Sequence, residues 1–207
     1  MAFNDFGFPD VQQALGLSLA EADLFSRVPA MPLSSAFTER LRGDVALALA
    51  INTEKARSEF IIAPLLSELR RLLGGSFGLF SGVQFDVDVS RGLNGYCDFI
   101  LTRSPLQSVL TAPVVAIAEA KNDNLRNGLG QCIAGMVAAR EFNTKSAAAV
   151  ACVYGVVTTG SAWKFLTLAG VDVTLDVEEY FIGEPGRIMG IFAHVLKASA
   201  VTAPKSA

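Results

Sequence analysis

Two apolar runs, Val114-Val115-Ala116-Ile117-Ala118 and Ala148 to Val157, flank a stretch of helical character and leave the chain few folds to choose from. Near-continuous apolar runs suit strands that are buried on both faces. A helix between two such strands is the crossover that lets them lie in one sheet. That helix is predicted from about Leu125 to Phe142, with Asp123 or Asn124 of Asn122-Asp123-Asn124 as its N-cap. The expected class is α/β: a mixed sheet flanked by helices.

The remaining pattern adds elements around this unit. Ile61, Ile62, Leu65, Leu66, Leu69, Leu72 and Leu73 recur at helical spacing within a helix predicted over Thr53 to Leu73, which Gly74-Gly75 ends. Val83 to Val89 alternates as a half-buried strand, and Ser90 to Gly95 has turn chemistry, so Tyr96 to Thr102 forms the return arm of a hairpin. Trp163 to Leu168 is a strand after the Gly160-Ser161 turn, with Trp163 and Phe165 on one face, read as core or as a platform for a base. A last helix is predicted from Pro185 to Ala198. Ahead of all this, Ser18-Leu19-Ala20-Glu21 has the form of a capping box starting a short helix, and Ser35 to Ala50 reads as a second helix.

With 207 residues, 51% hydrophobic and 18% charged, the chain is long enough to bury a sizeable core and allows self-association. A net charge of -3 speaks against a broad nucleic-acid surface, so any phosphate binding is focused in a local groove. Cys97, Cys132 and Cys152 lack CxxC spacing, which suits neither a disulfide framework nor a zinc knuckle and fits a reduced cytoplasm. Neither an export signal nor a membrane anchor is expected. The single histidine, His194, lies in an apolar helical context and reads as structural, which excludes histidine-based hydrolysis and a zinc site.

Charge concentrates where the first apolar run ends. Strand alternation puts Glu119 and Lys121 of Glu119-Ala120-Lys121 on one face, and Asp98 interrupts the apolar strand Tyr96-Cys97-Asp98-Phe99-Ile100-Leu101. On neighbouring strands the two acids can converge on one hard cation such as Mg²⁺, with water and a backbone carbonyl completing the ligands. Lys121 can then offset charge that develops on phosphorus. The competing reading is a strand-end ion pair without chemistry. Helical spacing puts Glu59 and Glu68 on opposite edges of one apolar arc and does not choose between them. Gln131 shares its face with Ala134, Gly135 and Ala138, small residues that bring a helix close to a sheet, and Arg126 lies where a helix start attracts anions.

In order, these residues resemble the PD-(D/E)XK nuclease superfamily, the restriction-endonuclease-like fold. That family has an acid on a first helix, an Asp on the second strand of a hairpin, an (E/D)-x-K on the next strand and often a Gln on the following helix. Glu59, Asp98, Glu119-Ala120-Lys121 and Gln131 match these places; Cys97 stands where the family name has proline. The resemblance covers Thr53 to Leu168 and implies a nuclease-like unit over 51–200, preceded by a helical extension over 1–50 and followed by a loose tail over 201–207. It implies DNA hydrolysis with Mg²⁺ or Mn²⁺ held by Asp98, Glu119 and the Ala120 carbonyl, with Glu59, Lys121 and Gln131 assisting. It also allows a homodimer, since cutting both strands needs two sites. The alternative is a non-catalytic module of the same fold that binds nucleic acid or a protein.

Overall fold

The computed structural model describes residues 1–198; the expected tail over 201–207 and the last two residues of the expected 51–200 unit lie outside the described residues. Its elements in order are α1 (Val11–Leu15), β1 (Ser18–Ala22), α2 (Ser35–Ile51), α3 (Glu54–Arg57) and α4 (Ala63–Leu72), the last two joined by a π-helical turn, Ser58–Ile62. There follow β2 (Gly78–Gln84), β3 (Tyr96–Thr102), β4 (Val114–Ala120), α5 (Arg126–Lys145), β5 (Val153–Thr158), β6 (Ala162–Ala169), β7 (Asp172–Asp176), β8 (Tyr180–Phe181) and α6 (Pro185–Ala198).

The strands form one mixed sheet in the order β1-β7-β6-β5-β4-β3-β2, with β8 beside β6. β4 and β5 are parallel across the α5 crossover, and every residue of β4 is buried, as the unbroken apolar run requires. Leu65, Leu66, Leu69, Phe192, Trp163 and Phe165 form a core on one face. Ile117, Ile133, Ala134 and Val137 form one on the other, together with Phe3, Phe6 and Val11 from the start of the chain. Each large side chain fully buried here contributes roughly 1.5–3 kcal/mol from desolvation. α5 lies close to β4: a Cβ on Gly135 would stand 3.1 Å from Ile117 Cγ2. Buried Asn143 fixes the far end of α5 by accepting from the Val114 amide and donating to its carbonyl, both at 2.7 Å.

The fold class follows the sequence, whereas several local elements differ from expectation. Ser18-Leu19-Ala20-Glu21 is strand, not helix, because its backbone pairs in parallel with β7 and the Ser18 hydroxyl donates to Asp172 at 2.5 Å instead of capping. The first hairpin arm is Gly78–Gln84 rather than Val83 to Val89. Beyond Gln84 the pairing becomes irregular: the Phe85 and Val87 amides still donate to the Gly95 and Leu93 carbonyls, while Asp86 accepts from the Gly95 amide and Asp88 from the Ser90 amide. The second central strand begins at Val153, not Ala148. The predicted helix from Thr53 to Leu73 is divided by its π-helical turn. Trp163 and Phe165 are buried, which removes them as a platform for a base, and His194 is exposed with its ring edge towards Phe25.

Candidate functional site

Central parallel strands collect chemistry at their carboxyl ends, where backbone groups and loop residues converge. Phe99 pairs with Ala118 across the antiparallel β3–β4 ladder, and the next step sets Asp98 opposite Glu119. Opposed residues point to one face with Cβ atoms about 4.5–5.5 Å apart. Asp98 Oδ2 accepts from the Ala120 amide at 2.8 Å, fixing one carboxylate against the strand that carries the other. The two acids therefore lie side by side on neighbouring strands.

Glu119 is fully buried, and no N–H or hydroxyl donor among the described residues reaches its Oε1, which leaves the neighbouring Asp98 carboxyl as a hydrogen-bond partner only when Glu119 is protonated. Its Oε2 accepts from Gln131 Nε2 at 2.7 Å, while Gln131 Oε1 accepts from Lys121 Nζ at 3.0 Å. The Lys121 amide donates to the Thr158 carbonyl at 2.8 Å, so β5 carries the lysine onward past the strand end. Burial pushes the Glu119 carboxyl well above the ordinary carboxylate range, and the Asp98 charge pushes the same way against the pull of Lys121. A buried, half-satisfied carboxyl beside a second carboxylate is a poor structural device and a good oxygen donor set for a hard cation. Two acids suffice for Mg²⁺, which keeps several waters; among the described residues no group of three His, Cys, Asp or Glu side chains gathers as a ready ligand set.

Asp98 and Ala120 line a cleft of about 280 Å³ together with Glu54, Lys55, Ser58, Glu59 and Ser81, while Glu119 lies buried behind that wall. Glu59 is exposed and pairs with Lys55 at 3.0 Å, and Glu68 faces away, bonded to Arg71. Glu54 escaped the sequence reading although its charge also reaches Glu119. Residues five apart on a regular helix diverge by about 140° at 100° per residue. The π-helical turn after Arg57 is the local departure from that geometry where Glu54 and Glu59 share a cleft. The one advance signal was Thr53, whose hydroxyl accepts from the Ala56 amide as N-cap directly before Glu54.

Arg57 was also missed. It is 9% exposed and donates to the Thr159 carbonyl at 2.8 Å, Ser161 Oγ at 3.3 Å and Asn52 Oδ1 at 2.9 Å. It thus ties the helix that carries Glu54 to the turn following Thr158, where Lys121 is anchored. Gly128 gives Lys121 its path, since a Cβ there would meet Val157 Cγ1 at 2.6 Å and Lys121 Cγ at 3.0 Å. Asn124 Oδ1 accepts from the Arg126 amide at 2.9 Å at the start of α5. The Arg126 guanidinium sits 5.4 Å from the Phe8 ring centre, outside the carboxylate cleft.

No protein-family profile and no curated protein matches the chain. Among solved structures it is similar to a chain in a cryo-EM structure of a DrdV–DNA complex, at 14% identity and a TM-score of 0.44. The similarity covers 83% of this chain and 14% of the other, so this chain spans about one seventh of that length. The eight-stranded mixed sheet with helices on both faces is consistent with the restriction-endonuclease-like fold. Among the described residues no helix is long and apolar enough to cross a membrane.

Proposed function

We propose that the chain is a divalent-metal-dependent nuclease of the PD-(D/E)XK kind acting on DNA, its chemistry lying in residues 51–200 with 1–50 packed on them. The observation that carries this reading is Glu119, a buried carboxyl with an unpartnered oxygen, set across from Asp98 and linked through Gln131 to Lys121. Asp98, Glu119 and the Ala120 carbonyl would hold Mg²⁺ or Mn²⁺. When bound, such a cation polarises phosphoryl oxygen and makes water acidic near neutral pH. Lys121 would place its ammonium beside the attacked phosphorus and offset the charge developing there. Gln131 holds both Lys121 and Glu119 and so orients the pair, while Glu59 and Glu54 receive water on the cleft side.

Plasmid cleavage tests the proposal. Purified protein with Mg²⁺ or Mn²⁺ is expected to nick or linearise DNA, and Lys121→Ala is expected to abolish this while circular dichroism stays that of the parent. Cleavage that survives Lys121→Ala would sink the assignment. The non-catalytic alternative draws on the net charge of -3, which limits attraction to DNA. Calorimetric titration decides between them: Mn²⁺ binding that vanishes in Asp98→Asn supports the enzyme, and absence of any binding supports the module.

A further inference from the structure

A second polar cleft, of about 520 Å³, lies along α4 beyond the carboxylates and is walled by Arg40, Ser67, Glu68, Arg70, Arg71 and Gly75. Its three guanidinium groups are held in place by different means. Arg70 Nε donates to the Phe77 carbonyl at 3.0 Å, a partner without charge that leaves the cation uncompensated. The Arg40 guanidinium rests 5.5 Å from the Phe37 ring centre. Arg71 forks onto Glu68 at 2.7 and 2.6 Å. Glu68 is the single acid among these residues, so the cleft keeps an excess of two positive charges on a chain whose formal charge is -3. Restrained guanidinium groups lose less freedom when they meet an oxyanion, and their planar forks match phosphate oxygens.

The position of the cleft points to its occupant. Arg70 grips Phe77 just before β2, and Ser81 and Gly82 further along the same strand line the carboxylate cleft. The five steps from Phe77 to Gly82 span about 17 Å of extended chain. That length corresponds to about five nucleotides at roughly 3.4 Å each along a strand. The arginine cleft is walled by residues of α2 and α4, and the carboxylate cleft by residues of α3 and the π-helical turn that leads directly into α4. We propose that Arg40, Arg70 and Arg71 bind a backbone phosphate of the nucleic acid whose cleaved bond lies at Asp98 and Glu119, an anchor about five nucleotides from the chemistry. This rests on the nuclease reading for its occupant and on the arginine geometry for its existence.

Fluorescence anisotropy with a labelled 20-base-pair duplex, in EDTA so that nothing is cut, separates the two. Arg40→Ala is expected to weaken binding roughly three- to tenfold at low salt and to reduce the salt slope by about one. Arg40→Glu should weaken it further, and Glu68→Gln should tighten it, because it removes the acid and frees Arg71. Asp98→Asn should retain arginine-dependent binding while losing cleavage. Binding and salt slope unchanged in both Arg40 variants, with parent-like circular dichroism, would overturn the anchor even if the protein cleaves DNA. Arginine-dependent binding in a protein that never cleaves DNA supports the anchor and leaves the nuclease reading to fail alone. Inorganic phosphate bound through Arg40 with no duplex binding would overturn nucleic acid as the occupant.

Discussion

Glu119 is where a single residue has the most to say about the metal-free protein. Burial first, and the neighbouring Asp98 charge second, raise its folded-state pKa well above the ordinary value. The unfolded chain releases this proton near pH 4.3. The folded chain holds it to higher pH, so its contribution to stability is complete below about 4.3 and is lost as pH rises through the folded value. While only the folded state is protonated, the loss amounts to about 1.4 kcal/mol per pH unit. Glu119→Gln keeps an acceptor for Gln131 and has no proton to lose. The melting temperature of this variant relative to the parent, in EDTA, should therefore climb between pH 5 and 8. A flat difference across that range would mean that the carboxyl is not held protonated. Added Mn²⁺ should reverse the order at pH 8, raising the parent and leaving the variant unmoved, because ligand bound only to the folded state stabilises it.

Elements set how closely such residues approach, and α5 shows this at Gly128. An added methyl would press on Val157 Cγ1 at 2.6 Å and on the Lys121 stem at 3.0 and 3.2 Å. Gly128→Ala should therefore displace the ammonium from Gln131 and lower the cleavage rate at least tenfold, with a smaller change in duplex affinity measured in EDTA. Equal loss of rate and affinity would instead indicate a general disturbance of α5. The crossover containing Gly128 was legible in the sequence because β4 and β5 are buried on both faces and α5 lies between them. The adjacency of Asp98 and Glu119 was legible because charges that interrupt or end apolar strands stand out without knowledge of partners. Elements defined by distant partners were not: β1 exists through its pairing with β7, and its capping-box letters describe an alternative that this pairing overrides. Glu54 and Arg57 were hidden for the same reason. Helical periodicity cannot register a π-helical turn, and Arg57 earns its place through Thr159 and Ser161, about a hundred positions away.

At the scale of the whole molecule, the beginning of the chain is part of the interior that positions the site. Phe3 and Val11 are fully buried, and Phe6 and Leu17 nearly so, against Cys132, Ile133 and other α5 residues. The Phe3 amide donates to the Asn94 carbonyl at 2.9 Å, which joins this segment to the loop before β3. At Gly130, next to Gln131, a Cβ would run into the backbone of Phe6 and Gly7, so the segment crosses α5 directly beside the residue that bridges Glu119 and Lys121. Phe3→Ala should cost about 3–5 kcal/mol in urea unfolding, as emptying a buried phenyl site commonly does. Removing residues 1–17 should do more: it exposes the α5 face of the core and leaves β1 held at the sheet edge by β7 without the segment that leads into it. In hydrogen exchange, amides around Gly130 and Gln131 should lose protection before those of β4 and β5. A truncated chain with the parent's urea midpoint and α5 protection would show that the N-terminal residues only decorate the fold. Loss of α5 protection with the central strands still protected would tie them to the orientation of Gln131, and through it to Lys121.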